Sequence, residues 1–480
     1  MKPLSLLLLT FFLCTGTTGA GGESASAPPN IIVVLIDDMG WSDLSCFAGI
    51  VSQPQNVKTP HIDRLATEGQ RFTSFYVSAP LCSPSRCGII TGQYPQRWKI
   101  TSYLANRQEN IKRQMSQWLD LQAPSFPRLF QEKGYAAGHF GKWHLGGQRD
   151  VGDAPLITEY GFDASLTNFE GLGDRILPLK NAFDGSKPEK HALGSDNLGR
   201  GKIEWAERHL VTGKYTAAAL EFIKKAQGEK KPFYVNLWLD DVHSPFFPSN
   251  GNTVKGKKER YHRVLTEMDE SLSALFDYVR SNPALRDNTL ILLLSDNGPE
   301  PGAGSSLPFK GGKGQLYEGG IRSPLIVWGP GLVGKKVNGT QNGQAVFTSI
   351  DFAPSLLKIA GITVPQEYQF DGEDFSDVLL GKTAEQRRTK PVFWQRPPDR
   401  AGPQDSPLPD LALRWNEWKF LMQFDASRPQ LYRIVDDPSE SQNLAGKETQ
   451  LVESFRKQLQ EWQKEINGTD AKITFTPSPH

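Results

Sequence analysis

Five short segments of the chain consist almost entirely of apolar residues, without the alternation expected of a strand that faces solvent on one side. They are Ile31–Ile36, Ala136–Phe140, Phe233–Leu239, Thr289–Leu294 and the shorter Leu325–Trp328. Such runs are typical of strands that are buried on both faces of a parallel sheet. Apolar residues recur at helical spacing between them, in Phe126–Glu132, Lys214–Lys225 and Arg260–Arg280. Strands that alternate with helices predict an α/β fold with a doubly wound, mostly parallel sheet.

The pattern changes after Leu380. Four short aromatic-rich runs follow, separated by turn-forming clusters: Val392–Trp394, Ala412–Trp415, Trp418–Phe424 and Gln430–Ile434. A helical pattern, Gln450–Ile466, comes after them, so we predict a small antiparallel sheet with a closing helix. We therefore expect a larger domain at 21–385 and a C-terminal subdomain at 386–480. The polar, aperiodic stretch from Phe169 to Gly201 predicts a long surface insertion that could line a site.

The first twenty residues have the composition of a signal peptide. Lys2 is followed by the apolar Leu4–Leu13, and the small residues Thr18–Ala20 fit a cleavage site. The apolar part is shorter than the roughly 20 residues that span a bilayer. We predict an exported protein, periplasmic or extracellular, with no stable insertion in a membrane.

Charge and cysteine content narrow the function. The 480 residues include 54 Lys+Arg and 53 Asp+Glu, a formal net charge of +1. This balance removes the electrostatic basis for binding nucleic acid. Of the four cysteines, Cys14 lies in the predicted signal peptide, which leaves Cys46, Cys82 and Cys87. An odd number in an oxidising compartment indicates one thiol with chemistry of its own, whether or not Cys46 and Cys87 pair.

Polar residues follow four of the apolar strands. Asp37-Asp38, Lys142 with His144, Asp240-Asp241 with His243, and Asp296-Asn297 each come directly after one. In an open α/β sheet the ligand crevice lies beyond the carboxyl ends of the strands, so we expect these side chains to meet there.

Asp37, Asp38, Asp296 and Asn297 form a set of oxygen donors. Adjacent carboxylates that emerge from an apolar strand are costly unless a cation neutralises them. Oxygen donors suit Ca²⁺, with Mg²⁺ as the alternative. The alternative interpretation of each pair is a solvated loop or a helix cap.

The segment from Cys82 to Arg86 gives the sharpest signal. Ser83 and Pro84 have the form of an N-cap and a first helical residue. Cys82 would then precede a helix N-terminus, which favours an anion, and Arg86 could bind a tetrahedral oxyanion. An ordinary capped helix and a cysteine nucleophile of lowered pKa are the alternatives.

Cys82-Ser83-Pro84-Ser85-Arg86, continued by Thr91-Gly92, resembles the signature of the type I, formylglycine-dependent sulfatases. Further matches are spread over the chain: Asp37-Asp38-Met39-Gly40, Gly141-Lys142-Trp143-His144-Leu145-Gly146, His243-Ser244-Pro245, Ser295-Asp296-Asn297-Gly298, Gly312-Lys313-Gly314 and Tyr317-Glu318-Gly319-Gly320. The resemblance implies an alkaline phosphatase-like fold. It also implies that a formylglycine-installing enzyme oxidises Cys82 to Cα-formylglycine, which joins the oxygen donors at the metal.

The resemblance further implies a reaction. One hydroxyl of the hydrated formylglycine attacks sulfur, and His243 with Lys313 protonates the leaving oxygen. Arg86, Lys142 and Lys313 offset the negative charge on the transferred group. His144 then deprotonates the second hydroxyl, so that sulfate leaves and the aldehyde returns. Asp240-Asp241 departs from the family pattern, and we interpret the pair as tuning the substrate pocket or His243.

We expect the substrate to be a sulfate ester, on a small molecule or polysaccharide and most simply on a saccharide. Trp394, Trp415 and Trp418 could stack on sugars, and Arg396 and Arg400 could hold anions, although the tryptophans could equally fill the core. Two other functions stay open at this point. One is phosphate or phosphonate ester hydrolysis on the same fold, and the other is non-catalytic glycan binding.

Overall fold

The computed structural model describes residues 27–467, apart from 54–56, 183, 185, 252 and 401–406. The predicted signal peptide lies outside the described residues, as does Cys14. The strands are β1 (Asn30–Ile36), β2 (Gln70–Tyr76), β3 (Ala136–Gly141), β4 (Ala164–Thr167), β5 (Asp174–Lys180), β6 (Glu189–Lys190), β7 (Ile203–Glu207), β8 (Phe233–Leu239), β9 (Thr289–Ser295), β10 (Arg322–Trp328), β11 (Gln341–Asn342), β12 (Phe347–Thr348), β13 (Val392–Gln395), β14 (Leu411–Trp415), β15 (Trp418–Met422) and β16 (Gln430–Arg433).

The helices are α1 (Ser45–Ala48), α2 (Pro60–Glu68), α3 (Cys82–Thr91), α4 (Arg107–Lys112), α5 (Phe126–Glu132), α6 (Val211–Gly228), α7 (Lys257–Ser281), α8 (Pro283–Arg286), α9 (Glu318–Ile321), α10 (Phe352–Ile359), α11 (Ser376–Leu379) and α12 (Thr449–Asn467). The predicted strands and helices of the larger domain all form, within a few residues of the expected bounds. None of the helices in the described part is long and apolar enough to cross a membrane.

A large sheet, with β1 near its centre, organises the molecule. Its order is β11-β2-β10-β9-β1-β8-β3-β4-β5-β6, with β12 on β2 and β7 on β5. β1 pairs in parallel with both β8 and β9, and β3 pairs in parallel with β8. β10 is antiparallel to both of its neighbours, so the sheet is mixed but mostly parallel, as predicted.

Helices cover both faces of this sheet because its central strands are apolar on both sides. Along β1, Ile31, Val33 and Leu35 pack into one buried cluster, which includes residues of α3, α5 and α10. Ile32, Val34 and Ile36 pack into a second cluster, with residues of α2, α6 and α7. The result is the three-layered α/β architecture that the continuous apolar runs predict.

The C-terminal region forms the small antiparallel sheet that the sequence predicts, in the order β13-β14-β15-β16. Helix α12 lies against it: Trp462 stacks on Phe393 at 5.1 Å between ring centroids and contacts Tyr94 edge-on at 5.3 Å. Tyr94 lies in the segment that follows α3, so this aromatic cluster attaches α12 both to the small sheet and to the α3 region. The boundary at 385/386 stays a prediction.

The expectation of an aperiodic surface insertion from Phe169 to Gly201 is wrong in part. The segment contributes β5 and β6, which extend the large sheet. Ile176 and Leu177 on β5 are buried, and so is Arg175, which donates hydrogen bonds to the carbonyl oxygens of Ser195 and Gly199. The strand was missed because Arg175 and Pro178 interrupt its apolar residues, Ile176, Leu177 and Leu179, and because the rest of the segment is polar.

Candidate active site

Four strands end at one edge of the sheet. Ile36, the last residue of β1, is level with Leu239 on β8 and with Ser295 on β9. Gly141 on β3 is level with Trp238. The residues after these strands are therefore brought together, as expected from their positions after parallel strands.

Gly141 explains how β3 turns into the site. Its φ is +113°, and a Cβ there would lie 1.9 Å from the carbonyl oxygen of Trp238. Only glycine fits this backbone without displacing β8. The next residue, Lys142, donates its N–H to the same oxygen at 2.9 Å, which directs its side chain towards β1.

Three carboxylates converge at this edge. Oxygen atoms of Asp37, Asp38 and Asp296 lie within 4.8 Å of one another, and all three side chains are fully buried. Asn297 donates from Nδ2 to Asp38 Oδ1 at 2.7 Å. Asp38 has a left-handed φ of 60°, a conformation that costs a non-glycine residue energy and is common at functional sites.

Three cations face the carboxylates. Arg86 donates to Asp296 Oδ2 from Nε at 3.1 Å, Lys142 Nζ lies 2.6 Å from Asp37 Oδ2, and Lys313 Nζ lies 2.5 Å from Asp38 Oδ2. Burial alone would raise the pKa of Asp37, but Lys142 and Arg86 hold it well below its usual range. Burial opposes charge on Lys142 and Lys313 too, yet the carboxylates, Asp37 and Asp38 foremost, raise the pKa of both amines.

The oxygen donors fit a divalent cation. Asp37 Oδ1 and Asn297 Oδ1 are buried and accept no hydrogen bond within the described part of the chain. Buried acceptors normally have a partner, so these two atoms indicate a missing one. Burial and the neighbouring Asp37 raise the pKa of Asp296 well above its usual value, and a divalent ion would relieve this repulsion. The four oxygen-bearing residues match a hard cation.

Cys82 lies against this cluster, with its Sγ 4.0 Å from Asp38 Oδ1. The expectation that Ser83 is the N-cap is wrong. Helix α3 begins at Cys82, and Ser83 Oγ instead accepts the N–H of Leu104 at 2.9 Å. Burial, together with Asp37, raises the pKa of the Cys82 thiol well above its usual value. This argues against an unmodified thiolate nucleophile, which needs a lowered pKa.

His144 is buried behind Lys142 and has a left-handed φ of 58°. Its Nε2 lies 2.9 Å from the carbonyl oxygen of Leu104 and 3.2 Å from Glu170 Oε2. The carbonyl oxygen can only accept, so Nε2 carries the proton and the unpartnered Nδ1 carries the lone pair of the neutral ring. Burial and the charge of Lys142 lower the pKa of His144, which keeps the ring neutral.

Glu170 is a site residue that the sequence analysis missed. Its carboxyl group is buried, and burial raises its pKa to about 7 despite Lys142 and Arg149. Glu170 lies at the start of the segment Phe169–Gly201, for which we predicted that it could line the site. This prediction was the signal in the sequence that pointed to Glu170.

His243 is more exposed than His144, with 37% of its side chain accessible. Its Nδ1 lies 2.8 Å from the carbonyl oxygen of Ser244, so Nδ1 carries a proton and Nε2 points to the reaction centre, 3.7 Å from Asp38 Oδ2. Burial and the charges of Lys142 and Lys313 lower the pKa of His243. For the expected role of general acid this ring must carry a second proton on Nε2, a form that the neighbouring Asp38 favours.

Asp240 and Asp241 are held by a cation that the sequence analysis also missed. Arg208 NH2 lies 3.1 Å from Asp240 Oδ1 and its NH1 lies 4.0 Å from Asp241 Oδ1. Asp240 also accepts from Asn168 and Asp241 from Thr212. The buried Arg208 thus accounts for the unusual acidic pair. The backbone carbonyl oxygen of Asp240 also accepts the backbone N–H of His243 at 3.2 Å.

The tryptophans and arginines of the C-terminal subdomain do not form a sugar platform as a group. Trp394 is fully buried and donates Nε1–H to the carbonyl oxygen of Val77 at 2.7 Å. Trp415 and Trp418 pack against the core of the small sheet, opposite each other on β14 and β15. Arg396 is buried and paired with Asp410. Of the five candidates only Arg400 is exposed and near the site, with its side chain beside Gly314.

A cleft of about 220 Å³ opens from the site. Cationic side chains line it, among them Lys142, Arg149, Lys180 and Arg208, together with His191 and His243. Glu170 and Asp240 are the acidic lining residues, each next to a cation or an imidazole. The cleft is suited to a small polar anion and to whatever group carries it.

Buried oxygen donors suited to a divalent cation, a cluster of fixed cations and two imidazoles lie together at the carboxyl edge of an α/β sheet, an arrangement that fits a hydrolase of anionic esters. The family described as Sulfatase matches residues 29–362, and the C-terminal region of N-sulphoglucosamine sulphohydrolase matches residues 312–465. The chain belongs to the sulfatase family, whose members use a formylglycine and a metal, and it hydrolyses sulfate esters.

Three similar proteins illustrate the extent of the match. N-acetylgalactosamine-6-sulfatase of Canis lupus familiaris is 31% identical over 414 residues, covering 80% of this chain and 72% of the relative. Arylsulfatase A of Homo sapiens is 28% identical over 494 residues, covering 96% of this chain and 92% of the relative. The solved structure of Ps i-CgsB in complex with k-i-k-neocarrahexaose has a TM-score of 0.73 at 23% identity, covering 94% of this chain and 95% of the solved chain. The family and the alkaline phosphatase-like fold are thereby confirmed, and neither a phosphate ester hydrolase nor a non-catalytic binding protein is supported.

Proposed function

We propose that the protein removes sulfate from a sulfated saccharide, with Cys82 converted to Cα-formylglycine and Ca²⁺ held by Asp37, Asp38, Asp296 and Asn297. The observation that carries this proposal is the position of Cys82. It is the first residue of a buried helix, lies 4.0 Å from Asp38, and has a thiol whose pKa is raised. A thiol in this environment is a poor nucleophile, whereas a hydrated aldehyde needs no thiolate.

The fixed cations would bind and orient the sulfate group. Lys142 and Lys313 contact different carboxylates of the cluster, Asp37 and Asp38, and Lys142 also lines the cleft. Arg86 is held rigidly by Asp296 and by the carbonyl oxygen of Lys142 at 2.6 Å. Such preorganised charges stabilise the charge that develops during transfer. A bound divalent cation would add Lewis acidity at the position of residue 82.

The two imidazoles are suited to different proton transfers. His243 lines the cleft, where the leaving oxygen would lie, and we assign it the role of general acid with Lys313 beside the same carboxylate, Asp38. His144 is neutral with a free Nδ1, and we assign it the role of base for the second hydroxyl of the hydrated aldehyde. The metal ligands and all of these roles are proposals.

The saccharide is proposed from the cleft and from the relatives. Hydrogen-bonding and cationic groups dominate its lining, which suits an anionic sugar. The relative with 31% identity is by name a sulfatase of N-acetylgalactosamine. Export by the predicted signal peptide, to the periplasm or outside the cell, and maturation by a formylglycine-installing enzyme complete the proposal.

The test is sulfate release from sulfated saccharides by protein co-expressed with a formylglycine-installing enzyme. We expect Cys82→Ala to lose at least about a thousandfold in turnover, as nucleophile removal does in other hydrolases. Cys46→Ala is the matched control, since Cys46 lies outside the site and is not disulfide-bonded. The mass of the peptide containing residue 82 reports the conversion. Full turnover by Cys82→Ala would contradict the proposal.

A further inference from the structure

A second, larger cavity adjoins the cleft. It has a volume of about 690 Å³ and is lined by Asn106, Gln108, Glu109, Arg149, Asp150, Leu193, Gly194, Asn197 and Leu198. Arg149 and Leu193 line the cleft as well, so the two spaces meet at these residues. None of the groups assigned to the reaction lines this outer cavity.

Arg149 has a guanidinium nitrogen without a hydrogen-bond acceptor among the described residues. Its φ is 55°, and its Nε is buried with no hydrogen-bond acceptor in the described part of the chain. A buried guanidinium donor without an acceptor is costly, so Arg149 retains hydrogen-bonding capacity for a further partner. Left-handed backbone at a residue other than glycine also persists mainly where the surroundings enforce it, often at ligand sites.

The acidic residues of the outer cavity have their own partners. Asp150 Oδ1 accepts the backbone N–H of Arg107 at 2.8 Å, and Glu109 lies 3.7 Å from Arg113. In the cleft, Glu170 Oε2 lies 3.2 Å from His144 Nε2, and burial raises the pKa of Glu170 to about 7, so that its carboxyl group is mostly protonated below this pH. Arg149 is therefore the cation of the outer cavity that is left for a ligand.

Leu193 supplies an apolar surface beside this cation. Its side chain is 42% exposed, and its φ of 50° is also left-handed. The adjoining Gly194 packs so closely that a Cβ there would lie 3.0 Å from the carbonyl oxygen of Arg149. Amide side chains from Asn106, Gln108 and Asn197 complete the lining. An apolar surface, amides and one cation match the apolar face, the hydroxyls and an acidic substituent of a sugar ring.

We infer that the outer cavity binds a second sugar of the substrate, next to the sugar that is desulfated, and that Arg149 binds an acidic group on that second sugar. The inference rests on the proposed function and narrows the substrate to an acidic oligosaccharide. Carboxylate and sulfate present the same charged oxygens to a guanidinium, so both are candidates for this group.

The experiment compares three disaccharides that carry the same sulfate ester. The neighbouring sugar is neutral in the first, a uronic acid in the second and sulfated in the third. The wild-type enzyme should have a higher kcat/KM for at least one of the acidic disaccharides than for the neutral one. Arg149→Gln should lower that ratio of acidic to neutral kcat/KM about tenfold, the usual scale of a hydrogen-bonded charge pair.

Leu193→Ala is the second variant, and it should raise KM for all three disaccharides relative to the monosaccharide ester. Arg387→Gln is the matched control, because Arg387 is an arginine with 88% of its side chain exposed, outside both lining sets. The ratio should not change in this variant. Circular dichroism and melting temperature check that each variant is folded.

The possible failures are distinguishable. If the wild-type enzyme hydrolyses the monosaccharide ester but shows no preference for an acidic neighbour, or if Arg149→Gln keeps the preference, the second-sugar site is overturned and the proposed function stands. If the matured wild-type enzyme hydrolyses none of the saccharide esters, the proposed function fails, and this inference fails with it.

Discussion

At the scale of single residues, Glu170 shows how burial sets a charge. Its carboxyl group is 4% exposed and lies 3.2 Å from His144 Nε2, and burial raises its pKa from 4.5 to about 7. The folded protein therefore keeps a proton on Glu170 at pH values where the unfolded chain has released it. Folding takes up a proton between about pH 4.5 and 7, so this residue's contribution to stability is lost as the pH rises through that range.

We predict that Glu170→Gln, which cannot ionise, removes this loss. The variant should be more stable than the wild type at pH 8 by up to about 3 kcal/mol, and the difference should shrink towards pH 4.5. Urea unfolding of the two proteins across this pH range, with chelator present, measures it. Glu132→Gln, at an exposed glutamate of α5, should leave the pH dependence unchanged. Parallel curves for wild type and Glu170→Gln would refute the assignment.

At the scale of secondary-structure elements, a buried charge network joins the small sheet to the loop that carries Lys313. Lys419 on β15 is fully buried, with Nζ 3.0 Å from Glu318 Oε1 and 2.9 Å from Glu440 Oε1. Glu440 accepts the N–H of Glu318, the first residue of α9, at 2.7 Å, and Tyr76 on β2 donates to Glu318 at 2.7 Å. One lysine thus fixes contacts among β15, α9 and β2.

We predict that Lys419→Met destabilises the protein by about 3–5 kcal/mol at pH 8, because two buried carboxylates lose their shared cation. Burial already raises the pKa of Glu440 to about 7, so protonation should reduce this loss as the pH falls below 7. Chemical unfolding at pH 8 and pH 6 measures both effects, with Lys447→Met at an exposed lysine as the control. An equal loss at the two pH values would contradict this account of the network.

The sequence predicted the elements that have a strong local pattern and missed the features that depend on a distant partner. β1, β8 and β9 are continuous apolar runs, and their polar followers meet at one sheet edge because parallel strands end together. β5 was missed because Arg175 and Pro178 interrupt its apolar residues, and a partner from a distant segment cannot be identified from local pattern. The same reason hid Glu170 and Arg208, and it left the Ser83 cap wrong, since Ser83 bonds to the distant Leu104.

At the scale of the whole molecule, the candidate cation site links distant parts of the chain. Asp37 and Asp38 follow β1, whereas Asp296 and Asn297 follow β9, more than 250 residues later. The acceptors Asp37 Oδ1 and Asn297 Oδ1 are buried and accept no hydrogen bond from the described residues. A cation bound there would hold the two strand ends together and would stabilise the folded state, because the unfolded chain does not assemble these ligands.

We therefore predict that Ca²⁺ raises the melting temperature of the chelator-treated protein. At about a hundredfold excess over Kd the gain is about 2.7 kcal/mol, which corresponds to a few degrees or more in a protein of this size. Mg²⁺ should give a smaller shift, since it releases its bound water reluctantly. Asn297→Ala should lose most of the response, whereas Asn250→Ala, at an exposed asparagine, should keep it. Because the measurement needs no turnover, it tests the cation site independently of the maturation of Cys82. Identical melting of the wild-type protein with chelator and with Ca²⁺ would exclude a Ca²⁺ site that contributes to stability.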